Sequence, residues 1–299
     1  MYSSGATLED NFRLVGPPAF PRAVLIESDK LDACMDYALR NRNRLAGIAV
    51  APLDGFKLPD LSFVSKFPWI DRLTILDSDE VDISAISGLK SLQYLQISGA
   101  TKQTIHTADF PSLAELRVQW WNGLIFDGDL SALRVLSLGK YVSPTGDMSG
   151  LSSLPHLVDL NLVQSRNLML SGIDRFPHLK RLSVSYLSKL YDLSPLSSFA
   201  DGVMESLEFG NCPNIVRHDQ VRVLRTLKRL AFNKCGSINS IKFLDELPAL
   251  ESFSFVGTDV VDGDLTPCLR LRFVGFLDKR HYSHRRSDFP AATIPTKIF

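Results

Sequence analysis

Two histidines near the end of the chain, His281 and His284, are spaced i, i+3 and could share a metal ion. A third ligand is lacking nearby, and the flanking side chains are cationic: Lys279, Arg280, Arg285 and Arg286. These cations would repel a metal ion. We therefore predict no metal site here, but a capping segment with basic exposure.

An acidic run, "DSDEVD" at 77–82, is a second candidate for metal chemistry. An EF-hand loop that began at Asp77 would need glycine at position 82 and glutamate at position 88. The chain has Asp82 and Gly88 there. The run therefore predicts a solvated turn and not a calcium site.

The four cysteines are Cys34, Cys212, Cys235 and Cys268, and no two of them form a CxxC motif. Such spacing favours free thiols in a reducing compartment. The sequence also lacks a P-loop, a dinucleotide-binding glycine motif, a GxSxG elbow and an HExxH helix. We therefore predict no catalytic residues and no cofactor.

The composition limits the possible partners. The chain of 299 residues has 33 Lys and Arg against 33 Asp and Glu, so no bulk charge attracts nucleic acid or an anionic membrane. The start, "MYSSGATLED", lacks the basic and apolar regions of a signal peptide, and no run of eighteen apolar residues occurs. The expectation is a cytoplasmic protein that binds neither nucleic acid nor membrane.

One sequence motif, the phrase from which each repeat is built, recurs along the chain, as in "KFPWIDRLTI" at 66–75 and "RFPHLKRLSV" at 175–184. Its core is apolar-x-x-apolar-x-apolar, and eleven copies follow one another at intervals of 20 to 25 residues. They begin at Leu45, Ile70, Leu92, Leu113, Leu133, Leu157, Leu179, Met204, Leu227, Leu250 and Leu271. A period of this length is typical of a solenoid of stacked repeats.

Phrase and period resemble the leucine-rich repeat family, over residues 45–279, with the repeat of about 22 residues of internalin-like proteins as the most similar subtype. "LEFGNCPNI" and "LAFNKCGSI" look more like the cysteine-containing subtype. The resemblance implies an α/β fold. It would be a curved right-handed coil with a parallel sheet on the concave face and short helices and irregular segments on the convex face.

Each position of the repeat has a predicted role. The alternating part predicts a short strand. Counted from the first apolar residue of the repeat, the first, fourth and sixth residues should point inward, and the third, fifth and seventh should point outward. A proline shortly before five of the strands should end the returning segment. The ninth position is mostly small, as in Ser78, Ala100, Ser165, Cys212, Cys235 and Thr258. Their weak donors and acceptors are expected to satisfy backbone groups in the turn after each strand.

Caps are expected at both ends of the array. We predict an N-terminal cap at 1–44, eleven repeats at 45–278, and a C-terminal cap and tail at 279–299. The first cap should contain a strand at 23–27 and an amphipathic helix after Ser28, with Leu31, Cys34, Met35, Ala38 and Leu39 on its apolar face. Two convex segments, 218–227 and 240–247, also look helical.

The outward face offers mixed charges and polar groups, which suits a folded protein partner. In the fourth repeat the small ninth residue is replaced by Trp121, so the turn there should depart from its neighbours and leave an indole partly exposed. Alternatively, both indoles fold over the convex side beside Gly123. The predicted partner-binding residues are Arg72, Tyr94, Gln96, Glu115, Arg117, Gln119, Trp120, Trp121, Tyr141, Asp159, Asn161, Arg181, Tyr186, Glu208 and Arg229.

The resulting hypothesis is a bacterial, cytoplasmic, monomeric module that binds another protein on its concave face and is not an enzyme. Two alternatives stay open: an immunity-type inhibitor of a toxin domain, and a secreted effector that acts on a host protein. A third class, an enzyme, is disfavoured. "CMD" at 34–36 resembles the Cys-x-Asp of bacterial ubiquitin ligases with such repeats, but here Cys34 lies on the apolar face of a predicted cap helix.

Overall fold

A computed structural model describes residues 7–16, 22–99 and 101–290. The chain divides into two units, Met1–Gly139 and Lys140–Phe299. Ala100, the first residues of the predicted N-terminal cap, its residues 17–21 and the tail from 291 lie outside the described part.

The N-terminal unit contains one α-helix, α1 (Leu31–Arg40), within its described residues. Its strands are β1 (Thr7–Glu9), β2 (Phe12–Val15), β3 (Arg22–Leu25), β4 (Leu45–Val50), β5 (Arg72–Ile75), β6 (Tyr94–Ile97), β7 (Ile105–His106), β8 (Glu115–Gln119), β9 (Leu124–Ile125) and β10 (Val135–Gly139). The main sheet has the order β1-β2-β3-β4-β5-β6-β8-β10, and β7 pairs separately with β9. All pairs from β3 onward are parallel.

The C-terminal unit repeats one strand six times: β11 (Asp159–Val163), β12 (Arg181–Ser185), β13 (Ser206–Gly210), β14 (Arg229–Asn233), β15 (Ser252–Ser254) and β16 (Phe273–Gly275). They pair in chain order and in parallel. Equivalent repeat positions face each other, as Leu182 faces Leu207. Each predicted repeat thus supplies one strand of a parallel sheet, and the leucine-rich repeat solenoid fold is confirmed.

The inward positions form the core. Leu182, Leu207 and Leu230 are at most 2% exposed, whereas Arg181, Glu208 and Arg229 beside them are exposed. A strand alternates its side chains between the two faces, so one apolar row from each repeat builds a continuous interior.

The prolines before the strands occupy a tight turn. The amide of Leu179 donates to the carbonyl of Phe176 over 3.0 Å, and the amide of Leu250 donates to that of Leu247 over 3.1 Å. Pro177 and Pro248 are the second residues of these turns, where the fixed φ of proline is favoured. The returning segment therefore ends where the sequence predicts.

The returning segments are 3₁₀ helices and not α-helices. The two predicted helical segments are present only as His218–Val223 and Lys242–Glu246. A 3₁₀ helix rises about 2 Å per residue against 1.5 Å for an α-helix. It therefore crosses the width of a coil with fewer residues, as a short repeat requires.

The N-terminal cap contains the expected strand and helix, as β3 and α1, together with a hairpin that the prediction missed. Strands β1 and β2 are antiparallel, and Asp10 and Asn11 between them have φ of 49° and 68°. Consecutive left-handed residues are typical of the two-residue turns that join hairpin strands. The Asp-Asn pair in this turn was the signal in the sequence from which the hairpin could have been predicted.

Two details of the predicted cap helix are wrong. Ser28 does not cap α1, because its hydroxyl accepts a hydrogen bond from the Lys57 amide over 2.8 Å and a 3₁₀ turn precedes the helix. Leu39 is 44% exposed, and Tyr37 is buried in its stead. The Tyr37 ring stacks on Phe12 at 4.3 Å, so the unpredicted hairpin decides which face of the helix is covered.

Candidate functional site

The turn after each strand has a fixed backbone form. The eighth position of the repeat is left-handed at Asp77, Gly99, Lys140, Gln164, Tyr186, Asn211, Lys234 and Gly257. Glycine, asparagine and aspartate tolerate this form, whereas a bulky residue such as tyrosine pays about 1 kcal/mol. Tyr186 is nevertheless 54% exposed there, so the turn after β12 presents an aromatic ring on a constrained backbone.

The fourth repeat departs from this form, as predicted. Trp120 occupies its eighth position but does not have the left-handed backbone. The extra pair of β7 and β9 forms in the same region, with Ile105 opposite Leu124. The Trp120 ring is half-buried and lies parallel to Phe126, 6.2 Å away. One indole is thus partly exposed.

Trp121 and Tyr141 are buried, so the prediction that they offer surface to a partner is wrong. They are 7% and 1% exposed. The Trp121 Nε1 donates to the Gln103 carbonyl over 2.8 Å. A glycine makes room for each ring: a Cβ on Gly123 would lie 2.9 Å from Trp121 Nε1, and one on Gly150 would lie 2.8 Å from the Tyr141 hydroxyl. A large ninth residue therefore fits because a nearby glycine lacks a side chain.

On the outward face of the N-terminal unit the predicted residues interact mainly with each other. The Arg72 guanidinium lies 6.0 Å from the Tyr94 ring centre, and the Tyr94 hydroxyl donates to Gln96 Oε1 over 2.7 Å. Arg117 pairs with Glu115 on the same strand. Burial, and then the Glu115 carboxylate, raises the pKa of Tyr94. Gln119 is the last residue of β8, the strand of Glu115 and Arg117, and is partly exposed.

The outward face of the C-terminal unit carries a cluster of alternating charge. Arg181 Nε lies 2.8 Å from Asp159 Oδ2 on the neighbouring strand. Glu208 and Arg229 follow on the next two strands, and all but the half-buried Asp159 are exposed. Although solvent reaches Glu208, crowding on the sheet desolvates it and raises its pKa, as does Asp159, while Arg229 opposes the shift. Asn161 is partly exposed on the same face.

The ninth-position cysteines have the structural role that the sequence predicts. Cys235 Sγ lies 3.5 Å from the carbonyl oxygens of Phe209 and Asn233, and Cys212 Sγ lies 3.4 Å from that of Gly210. Thr258 does the same with a stronger donor, over 2.6 Å to Phe232. All four cysteines are buried free thiols.

His281, His284 and Cys34, the candidates for metal or thiol chemistry, each contact different groups. His281 Nε2 lies 3.0 Å from the Val260 carbonyl, whereas His284 Nδ1 lies 2.8 Å from the Ser283 hydroxyl. Among the described residues no cluster of three or more His, Cys, Asp or Glu could hold a metal ion. Cys34 is fully buried, and desolvation raises its pKa. A thiol in this setting is held protonated and is a poor nucleophile.

Two features escaped the sequence analysis. His218, the first residue of the segment that looks helical in the sequence, is 2% exposed, and its Nε2 has no hydrogen-bond partner within the described part of the chain. A surface groove also crosses the turns of three repeats in the C-terminal unit, lined by Tyr191, Val216 and four other residues. The exposed apolar residues of this groove recur at one repeat position, which was the available signal.

No family model matches the chain, and no curated protein is similar to it. Solved structures that match include an internalin of Listeria monocytogenes, with 18% identity and a TM-score of 0.46 over 80% of this chain and 78% of that one. A chain of the mouse RP105/MD-1 complex matches with 16% identity and a TM-score of 0.48, over 72% of this chain and 42% of that one. A chain of the TLR13–ssRNA13 complex matches with 14% identity and a TM-score of 0.30, over 84% of this chain and 52% of that one.

At these identities the likeness concerns the fold alone. The parallel strand order within each unit is that of the leucine-rich repeat solenoid which the sequence predicts. No helix among the described residues is long and apolar enough to cross a membrane.

Proposed function

We propose that this chain is a non-catalytic module that binds a folded protein through the outward face of the sheet in its C-terminal unit. The observation that carries the proposal is the cluster of Asp159, Arg181, Glu208 and Arg229 on four consecutive strands. These side chains rest on a rigid parallel sheet. They can therefore meet a partner with little loss of conformational freedom.

The cluster is suited to selecting a partner by charge. The bond between Arg181 and Asp159 is exposed, and exposed ion pairs contribute only about 0 to 1 kcal/mol. Such pairs can be exchanged for contacts to a partner at small cost. Complementary charge then sets the rate and specificity of association. Acids at Asp159 and Glu208 interrupt the basic side chains, which favours a protein over a nucleic acid, whose phosphates need a continuous basic surface.

Location and assembly belong to the same proposal. We also propose that the protein is bacterial, monomeric and cytoplasmic, and its four free thiols suit a reducing compartment. Size-exclusion chromatography with light scattering would test the monomer, and fractionation of the native host would test the compartment.

Site-specific crosslinking tests the binding face. A photoreactive amino acid replaces Ser183, which faces Glu208 across the pair of β12 and β13, and a control chain carries it at Ser197 on the returning segment. After irradiation in the native host, a protein should be captured from position 183 and not from position 197. Capture of RNA, or equal capture from both positions, would contradict the proposal.

The captured protein then allows a quantitative test with purified components. Reversing two charges, Arg181→Glu with Arg229→Glu, should weaken its binding at least about tenfold, as loss of central charged contacts does. Arg222→Glu with Arg225→Glu, two exposed charges on the returning segment, is the matched control and should change binding less than about twofold. Equal effects of the two variants would show that only net charge matters.

A further inference from the structure

The strongest feature outside the proposed binding face is the groove in the C-terminal unit. It is open to solvent, has a volume of about 540 Å³ and is lined by Asn167, Met169, Lys189, Tyr191, Asn214 and Val216. Its surface is mainly apolar. Tyr191 is 57% exposed and Val216 is 61% exposed, which is much for apolar side chains in two adjacent coils, and Met169 in the preceding coil is partly exposed.

The groove arises from two columns of the repeat. The eleventh position of repeats six, seven and eight holds Asn167, Lys189 and Asn214, and the thirteenth holds the three apolar residues Met169, Tyr191 and Val216. In the fifth repeat the same positions hold Ser143 and Thr145, and in the ninth they hold Ser237 and Asn239. The apolar column is thus limited to three coils and has polar ends, like the centre and rim of a binding patch.

The interior does not need these apolar side chains. Between the two columns a fully buried residue anchors each turn: Leu168, Leu190 and Ile215. The turns are held in place by hydrogen bonds, since Asn214 Nδ2 donates to the Ser188 carbonyl over 2.5 Å and the Met169 amide donates to the Gly146 carbonyl over 2.9 Å. The groove is therefore preformed, and a ligand would not have to order it.

The charge in the groove indicates the ligand. Lys189 is the one charged residue of the lining, and it makes no ion pair with any residue that the structure describes. Tyrosine is among the residues most enriched in binding hot spots. An ammonium group beside an exposed tyrosine and two aliphatic chains complements a large apolar side chain next to a carboxylate.

We infer that this groove is a second binding site, for a peptide segment of a protein that places a large apolar side chain against Met169, Tyr191 and Val216 and an adjacent Asp or Glu on Lys189. The site is separate from the outward face of the sheet. It does not depend on the function proposed for that face.

Selection from a library of random peptides displayed on phage tests the inference without knowledge of the natural ligand. The full chain is immobilised, and peptides that also bind the Tyr191→Ala chain are removed. The peptides that remain should share a large apolar residue beside Asp or Glu. A synthetic representative should bind Tyr191→Ala at least about tenfold more weakly, and Lys189→Glu about fivefold more weakly with a reduced salt dependence.

Tyr186→Ala is the matched control, because Tyr186 belongs to the same coil, has similar exposure and does not line the groove. It should change peptide binding less than about twofold, and the melting temperatures of all variants should agree within about 2 °C since the side chains are exposed. Failure to enrich any peptide that distinguishes the Tyr191→Ala chain would overturn the inference. So would enrichment of basic peptides, or self-association of the chain that Tyr191→Ala abolishes, because the occupant would then be a second copy.

Discussion

The buried imidazole of His218 should make the C-terminal unit sensitive to mild acid. Desolvation lowers its pKa from 6.5 to about 4, with the nearby Asp219 carboxylate opposing the shift. The ring lies edge-on against Phe232 at 4.7 Å and its Nε2 finds no partner among the described residues, so a proton placed there would be a buried, unpaired charge.

Thermodynamic linkage gives the direction in which stability changes with pH. The folded chain binds the proton less tightly than the unfolded chain, so stability is full above pH 6.5 and is lost as the pH falls toward 4. Each tenfold difference in proton affinity corresponds to about 1.4 kcal/mol, so the whole interval amounts to about 3 kcal/mol. Between pH 7.5 and pH 5 the loss from this one group should be about 2 kcal/mol.

Urea unfolding at a series of pH values, followed by circular dichroism, measures this loss. Carboxylates also contribute to the pH dependence, so the informative quantity is the difference between wild type and His218→Leu, which cannot titrate at this position. The variant should lose about 2 kcal/mol less than wild type between pH 7.5 and pH 5. His178→Leu, at an exposed histidine, is the control and should keep the wild-type dependence. If wild type and His218→Leu lose stability in parallel, the imidazole is not desolvated and the reasoning is refuted.

Three further predictions concern the interior. Leu182→Asp buries an unpaired carboxylate and should lower the free energy of unfolding by several kcal/mol, with hydrogen exchange raised first in repeats six to eight. Ser183→Asp on the outward face is the control and should lower it by less than about 1 kcal/mol. Equal melting of Leu182→Asp and wild type would show that Leu182 does not point inward. Gly123→Ala should destabilise by about 1 to 3 kcal/mol in thermal melts, since its Cβ would lie 2.4 Å from the Gln103 carbonyl oxygen, and Gly88→Ala, with nothing within 4 Å, should be nearly neutral; equal effects would remove the steric explanation. Thiol titration of the unfolded, unreduced chain should find all four cysteines, and recovery of only two would reveal a disulfide.

The amino-acid sequence by itself determined the repeat, its strands and its inward residues. These depend on local alternation and on copies of one phrase, and each copy faces an equivalent copy, as Leu182 faces Leu207. The turn prolines and the ninth-position cysteines follow for the same reason, because a regular stack gives a repeated position a repeated environment. The prediction is wrong for Ser78 and Ser165 at the same ninth position, because their buried hydroxyls have no hydrogen-bond partner among the described residues.

Only the tertiary structure decided the positions where the repeat is irregular. Trp121 and Tyr141 are both buried beside a glycine of their own repeat, Gly123 and Gly150. The sequence left burial of Trp121 beside Gly123 open as an alternative, and only the packed structure decided it. The Nε2 of His218 has no hydrogen-bond partner in the described part of the chain because of what packs around the ring and not because of its neighbours in sequence. Burial of an unusual residue depends on the space left by other coils, and that space exists only once the coils are stacked.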